Sequence, residues 1–122
     1  MSEERLQIAV VKYIKLQYPK TKYCASLGGI YTSPTQAAKS KRTGYQRGFP
    51  DLQICEARGG YFGLFIELKT LKGKPTIAQK EWIAYLNAKG YKAEICIELP
   101  EALECIDSYM SKGITIGCKC DG

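Results

Sequence analysis

The N-terminal part of the chain carries apolar side chains at the spacing of an amphipathic helix. These positions are Leu6, Val10, Val11, Tyr13 and Ile14. Ser2 is a suitable N-cap and Pro19 interrupts the pattern. We therefore predict a helix that runs to about Tyr18 and packs one face on a sheet.

Two runs with strand character flank a short turn in the middle of the chain. They cover residues 51–57 and 61–69, and Arg58-Gly59-Gly60 separates them. Glycine supplies the positive φ of a tight turn, so the pattern predicts a β-hairpin. Alternation divides the second run into a core face and an opposite face. The core face holds Phe62, Leu64, Ile66 and Leu68, and the opposite face holds Phe65, Glu67 and Lys69.

The length of the hairpin loop decides whether Asp51 joins Glu67 and Lys69. A two-residue loop would place Asp51 opposite Leu68 and direct its side chain to the core. A three-residue loop, from Arg58 to Gly60, pairs Asp51 with Glu67 on the face that also carries Lys69. We predict the three-residue loop. Because directly opposed carboxylates repel, this register implies a hard cation between them, most simply Mg²⁺.

Shorter signals predict the elements around the hairpin. A strand is predicted at Tyr23 to Leu27, and a loop, with or without a short helix, over residues 32–48. Thr76 and Gln79 match a capping box, which starts a helix that ends before Gly90.

The C-terminal part adds a strand and a helix. Residues 91–98 alternate, with Ala93, Ile95 and Ile97 on one apolar face. A last helix is predicted from Leu99-Pro100 to about Lys112, followed by a short β-prone run at residues 114–116. The order helix, strand, hairpin, helix, strand, helix predicts one α/β domain over residues 1–122, with a mixed central sheet flanked by helices.

Charge and length narrow the classes of function. The chain has 122 residues and a net charge of +6, which favours a polyanionic partner. We expect an intracellular protein, because the sequence has no apolar run long enough to span a membrane and its N-terminus is too acidic for a signal peptide.

Cysteine and histidine usage narrows the chemistry. The six cysteines are expected to be free thiols, and Cys118 with Cys120 could ligate zinc, although no second cysteine pair or histidine accompanies them. The chain has no histidine, which excludes Ser-His and Cys-His catalysis and histidine general bases.

Several blocks of the sequence resemble a known nuclease family. Pro50-Asp51 followed by Glu67-Leu68-Lys69 is similar to the PD-(D/E)xK nuclease signature. The surrounding residues resemble its virus-type replication-repair nuclease (VRR-NUC) branch, from residue 4 to residue 98. The matching blocks are Gly48-Phe49-Pro50-Asp51-Leu52, Glu67-Leu68-Lys69-Thr70, Lys72-Gly73-Lys74-Pro75-Thr76, Gln79, Trp82, Leu86 and Gly90-Tyr91. The resemblance implies a restriction-endonuclease-like fold.

The resemblance also implies roles for individual residues. Asp51, Glu67, the Leu68 carbonyl and Glu4 would bind Mg²⁺ or Mn²⁺, and Lys69 would polarise the attacking water. In the family, a first-helix glutamate followed three residues later by glutamine reaches the metal site. Glu4 and Gln7 match that spacing, with Glu3 as the competing residue. Gln79 is either a catalytic-site residue, as the family pattern implies, or only a helix cap.

A basic segment precedes the Pro-Asp strand. It contains Lys39, Lys41, Arg42 and Arg47. These side chains are either a solvated connection or a surface that neutralises a phosphate backbone, and we favour DNA binding.

These features predict a metal-dependent DNA endonuclease. Stand-alone members of the resembled family are associated with phages and act on branched DNA. The narrower expectation is therefore a homodimeric resolvase of four-way (Holliday) junctions that acts in replication, recombination or repair. The alternative is a non-catalytic DNA-binding module with a nuclease-like core.

Overall fold

A mixed four-stranded sheet with helices on both faces organises the chain. The computed structural model describes residues 1–26 and 33–116. The helices are α1 (Glu3–Gln17), α2 (Pro34–Arg42), α3 (Ile77–Ala88) and α4 (Glu98–Met110), and the strands are β1 (Tyr23–Ala25), β2 (Leu52–Ile54), β3 (Leu64–Lys69) and β4 (Lys92–Ile97). The predicted strand end at Leu27 and the possible zinc ligands Cys118 and Cys120 lie outside the described residues.

The sheet has the order β1-β2-β3-β4. The first three strands pair antiparallel, while β3 and β4 pair parallel because α3 crosses between them. This mixed α/β architecture is the predicted fold class. No helix in the described ranges combines the length and apolar character of a membrane span.

The two faces of the sheet are covered by different helices. Helices α1 and α4 pack on one face through Leu6, Val10, Ile14 and Ile106, and the whole of β3 is buried. On the other face, α3 covers Phe65 and Ala93 and contributes Leu86, with Trp82 partly buried beside it. Charged side chains are costly in a strand that is covered on both faces unless they are paired or bind a metal. β3 nevertheless ends with Glu67 and Lys69.

The hairpin has the predicted register but not the predicted loop. Leu52 pairs with Ile66, which places the preceding Asp51 opposite Glu67. At the tip, however, Arg58 pairs with Tyr61, so the loop is the two-residue Gly59-Gly60 turn. Both glycines have positive φ, as a type I′ turn requires. The three-residue loop is therefore wrong.

An unequal number of residues reconciles this turn with the register of the strands. Between the tip and the paired strands lie residues 55–57 on one side and residues 62–63 on the other. The extra residue on the first side acts as a bulge, which shifts the pairing by one position. The tail supports this irregular stretch, because Ile114 pairs with Arg58 and the Thr115 amide donates to the Ala57 carbonyl at 2.9 Å.

Two details differ from the apolar patterns in the sequence, and the short helix allowed within residues 32–48 is present. Phe62 was expected in the core, but it precedes β3 and is 63% exposed. Residues 91–98 were expected to have one apolar face, yet Cys96 is buried against α4 while Ile97 is 40% exposed. The reason is that β4 is covered on both faces, so neither side of it is a simple solvent face. Residues 32–48 contain a helix, α2, which buries none of its residues.

Candidate active site

Asp51 is held at the start of β2 by hydrogen bonds on both sides. Its backbone carbonyl accepts a hydrogen bond from the Ser26 amide at 2.9 Å. Its carboxylate Oδ2 accepts one from the Leu68 amide at 2.7 Å. The preceding Pro50 is fully buried and fixes the backbone where a missing N–H is harmless. The carboxylate therefore projects towards the end of β3.

Glu67 is buried beside Asp51. Glu67 is only 2% exposed. Burial, followed by the nearby negative charge of Asp51, raises the pKa of the Glu67 carboxyl to about 8, although Lys69 opposes the shift. Burial also raises the pKa of Asp51, against the hydrogen bond from Leu68. Because both carboxyls have little access to solvent, a nearby cation would stabilise them as anions.

Lys69 supplies one positive charge at this position. Its ammonium Nζ lies 3.6 Å from Oε2 of Glu67 and 3.9 Å from Oε2 of Glu3. The Lys69 residue is 7% exposed. Its side chain is therefore held between two carboxylates and is not free to sample solvent.

Gln79 forms the predicted capping box and also contacts Glu67. Its Oε1 accepts from the Thr76 amide at 2.9 Å, and its Nε2 donates to Glu67 Oε2 at 3.0 Å. The Thr76 hydroxyl completes the box by accepting a hydrogen bond from the backbone N–H of Gln79. The two contacts of Gln79 do not compete, because its side-chain oxygen caps the helix while its side-chain nitrogen donates to Glu67.

A Gln79→Glu variant separates these two contacts. A glutamate at N3 preserves the capping box, but it removes the donor to Glu67 and adds a third carboxylate beside Glu67 and Asp51. We expect a loss of cleavage of about tenfold or more and a change in the free energy of unfolding of about 1 kcal/mol or less when metal is bound. Gel assays and urea denaturation measure the two effects. Equal cleavage by the variant and the wild type would show that the contact with Glu67 is only structural.

The first helix presents Glu3, not Glu4, to the site. Leu6, Val10 and Ile14 are fully buried. At about 100° per residue, Glu3 lies about 20° from the centre of this stripe and Glu4 about 120° away. Glu4 is exposed and its carboxylate has no ion pair or hydrogen bond within the described residues.

The structure therefore places Glu3, and not the expected Glu4, beside Lys69, while metal binding by Glu4 stays a prediction. The phase of the apolar stripe carried the signal that favours Glu3. Its carboxylate adds negative charge that raises the pKa of both Asp51 and Glu67.

This placement predicts which N-terminal carboxylate affects cleavage. We expect Glu3→Gln to reduce kcat by about tenfold through its contact with Lys69, whereas Glu4→Gln should leave kcat within about twofold of the wild type. The two variants remove the same charge from adjacent residues, so each controls for the other in a steady-state cleavage assay. The opposite ranking would mean that the helix rotates when substrate or metal binds.

Part of the basic segment lies beside Gln79. A cavity of about 340 Å³ is lined by Ala37, Lys41, Tyr45, Arg47, Gly48, Thr76 and Gln79. Lys41 and Arg47 thus adjoin the site, whereas Lys39 and Arg42 stand elsewhere on exposed parts of α2. Gly48 allows the loop to approach α3, since a Cβ there would lie 2.7 Å from the Ala78 backbone. Sequence inspection did not identify Tyr45 as part of this cavity.

The donor atoms fit a hard cation. Asp51 and Glu67 offer carboxylate oxygens, the ligands that Mg²⁺ and Mn²⁺ prefer, and burial, the main cause of their raised pKa values, makes it costly to ionise both without a further cation. In the described ranges, a different trio, Glu94, Cys96 and Cys105, has ligand atoms within 4.8 Å of one another. Cys96 and Cys105 pack in the core between β4 and α4, and thiol ligands suit softer metals than magnesium.

Comparisons with known proteins agree with this geometry. The family model described as the VRR-NUC domain matches residues 2–97. A solved structure named as a VRR_NUC domain protein superposes with a TM-score of 0.80 at 34% sequence identity, covering 96% of this chain and 94% of that one. A search of curated proteins finds no match. The family match spans most of the chain and includes Asp51, Glu67, Lys69 and Gln79, and the chain therefore belongs to the VRR-NUC family of nuclease domains.

Proposed function

We propose that this nuclease domain is a metal-dependent endonuclease that hydrolyses phosphodiester bonds of DNA at the Asp51–Glu67 pair. The observation that carries the proposal is the buried carboxyl of Glu67, which lies opposite the partly buried carboxyl of Asp51 and next to one lysine. A purely structural ion pair would need one carboxylate for Lys69, and the second raises the electrostatic cost. Such an arrangement is favourable when a divalent cation joins it.

Asp51 and Glu67 would hold Mg²⁺ or Mn²⁺, with the carbonyl of Leu68 as a further oxygen ligand. When bound, the cation lowers the pKa of water and offsets the negative charge that develops on the phosphoryl group. Asp51 is oriented for this task by the Leu68 amide, and Glu67 by the amide of Gln79. These hydrogen bonds leave other lone pairs of each carboxylate available.

Lys69 would act on the attacking water and the scissile phosphate. Its ammonium can donate to the water oxygen and to a non-bridging phosphate oxygen, which aligns them and offsets charge in the transition state. In hydrolysis the water oxygen forms a bond to phosphorus, the P–O bond to the leaving sugar oxygen breaks, and that oxygen takes up a proton. Lys41 and Arg47 would bind the flanking phosphates from the cavity beside Gln79.

The narrower proposal is a junction-resolving enzyme. Resolution of a four-way junction requires symmetric cuts in two strands of like polarity, and this chain offers one site. A two-fold homodimer would present two sites related as those strands are related. The exposed basic helix α2, which buries no side chain within the subunit, is available for such a shared DNA surface.

The proposal is tested with labelled linear, flapped and four-way DNA, incubated with Mg²⁺, Mn²⁺ or EDTA. We expect cleavage with either metal, none with EDTA, and the fastest cleavage of branched substrates. An Asp51→Asn preparation purified in parallel controls for contaminating nucleases. Binding without cleavage of every substrate would favour the non-catalytic DNA-binding alternative.

The mass in solution, measured by light scattering, tests the assembly. A dimer that cuts four-way junctions symmetrically is expected. A monomer that cuts linear duplex as readily as junctions would refute the resolvase proposal and leave the nuclease chemistry intact.

A further inference from the structure

A second cavity continues from the first along the surface of α3. It has a volume of about 490 Å³ and is lined by Gln46, Arg47, Ala78, Glu81, Trp82 and Tyr85. Arg47 lines both cavities, and the first also touches Gln79, whose amide donates to Glu67. The two cavities therefore share Arg47, and the first of them borders the side chain that contacts Glu67. We call the second cavity the aromatic groove.

The aromatic groove has one anchored ring and one exposed ring. Trp82 packs edge-on against Phe49 with ring centroids 4.9 Å apart, which ties it to the core cluster around Phe65. Tyr85 lies one turn away along α3, with its ring centroid 6.0 Å from that of Trp82, and is 55% exposed. A large exposed aromatic next to a fixed one is a surface on which a planar group can stack.

The groove is lined by one positive and one negative side chain. Arg47 stands where the groove meets the first cavity, which also holds Lys41. Glu81 lies with the aromatic residues. A carboxylate repels phosphate but accepts hydrogen bonds from base amino groups, whereas a guanidinium binds phosphate. A nucleotide would therefore place its phosphate at Arg47 and stack its base on the exposed ring of Tyr85, which is nearly perpendicular (79°) to the neighbouring ring of Trp82.

We propose that the aromatic groove binds an unpaired nucleotide of the DNA, next to the bond that is cleaved. The proposal rests on the nuclease function proposed above and narrows its substrate class to DNA with at least one unpaired nucleotide beside the scissile phosphate. In a four-way junction, this requires a base pair at the branch point to open. A base within a duplex is stacked and paired on both sides, so its face cannot reach Tyr85. The volume of the groove lies in the range of small-ligand sites and accommodates a base with its sugar.

The single tryptophan of the chain makes the groove directly observable. Trp82 is that residue, so stacking in the groove should quench the protein's tryptophan fluorescence. We would titrate the wild-type protein in EDTA, which prevents cleavage, with single-stranded oligo(dT) or with a blunt duplex of equal length. The expected result is saturable quenching by oligo(dT) and little quenching by the duplex when equal fractions of the protein are bound. Fluorescence anisotropy of labelled DNA measures the bound fraction independently.

Three variants assign the effect to the groove. Tyr85→Ala should weaken oligo(dT) binding by about tenfold, and Tyr85→Phe, which keeps the ring, should restore most of it. Arg47→Ala should make the negative slope of log K against log salt concentration less steep by about one. Lys15→Ala removes an equal charge from α1, which packs on the other face of the sheet, and should change quenching and affinity by less than about twofold.

The outcomes separate this proposal from the proposed function. Quenching with no cleavage of any DNA in Mg²⁺ would support the groove and refute the nuclease. Cleavage that depends on Glu67 but is equally fast on intact duplex, with no effect of Tyr85→Ala, would refute the groove and leave the nuclease standing. Equal quenching by duplex and by oligo(dT) also contradicts the proposal.

Discussion

Replacing Glu67 with glutamine is expected to abolish DNA cleavage while leaving a folded protein that still binds DNA. The substitution keeps the size of the side chain and can retain a hydrogen bond to Gln79, but it removes a charged oxygen from the Asp51–Glu67 pair. Loss of such a group costs about 3 kcal/mol or more of transition-state stabilisation, which corresponds to a decrease in kcat of about a hundredfold or more. Asp51→Asn should have an effect of the same size.

In EDTA, the same substitution should make the stability of the folded protein less sensitive to rising pH than that of the wild type. Because the folded-state pKa of Glu67 is raised from 4.5 to about 8, its contribution to stability is present below the unfolded pKa and is lost as the pH rises through the folded value. A glutamine cannot ionise, so Glu67→Gln should lose less stability than the wild type between about pH 5 and pH 8. Thermal unfolding in EDTA measures this difference.

Glu104→Gln provides a matched control for both measurements. Glu104 is exposed on α4, on the face of the sheet opposite Glu67. The control should cleave DNA and unfold as the wild type does. Full activity in either Glu67→Gln or Asp51→Asn would refute the assignment of nuclease chemistry to this pair.

The second large effect is expected from Lys69→Met, which should lower both cleavage and stability. Methionine preserves most of the apolar stem but leaves Glu67 and Glu3 without the ammonium that lies within 4 Å of each. Removing one partner of a buried pair commonly costs about 3 to 5 kcal/mol. We expect a smaller loss, about 2 kcal/mol near pH 7, since Glu67 can take up a proton and become neutral.

A double-mutant cycle isolates this interaction. If Glu67→Gln is combined with Lys69→Met, the uncompensated charge disappears, and the double variant should recover about half or more of the lost stability. Urea denaturation in EDTA gives the four free energies of unfolding. Lys74→Met, at an exposed position after β3, is the control for introducing the same side chain. Additive effects of the two substitutions would contradict a direct contact between Lys69 and Glu67.

The candidate site was predictable where it depends on local patterns. Strand alternation alone puts Glu67 and Lys69 on one face of β3, and the match of Thr76 with Gln79 predicts the start of α3. The register of Asp51 was also correct, although the loop proposed for it was not. A bulge between Ile54 and Arg58 compensated for the shorter turn, and alternation patterns do not reveal a bulge in advance.

Other features depend on how the elements pack together. The rotation of α1 about its axis follows from the burial of Leu6, Val10 and Ile14 against β3 and α4, and that rotation selects Glu3 over its neighbour. The second contact of Gln79 requires α3 to lie across the end of β3. The two cavities that share Arg47 bring together residues from a loop and a helix that are distant in sequence.

The sequence by itself determined the family, the order of the elements and the face of β3 that carries charge, because periodicity and capping act between residues a few positions apart. The tertiary structure decided which carboxylate of α1 approaches Lys69, how Gln79 serves two partners, and where the basic and aromatic residues meet. These contacts depend on the relative placement of whole helices and strands. That placement is set by burial of apolar surface throughout the core, to which many residues contribute and which no short segment encodes.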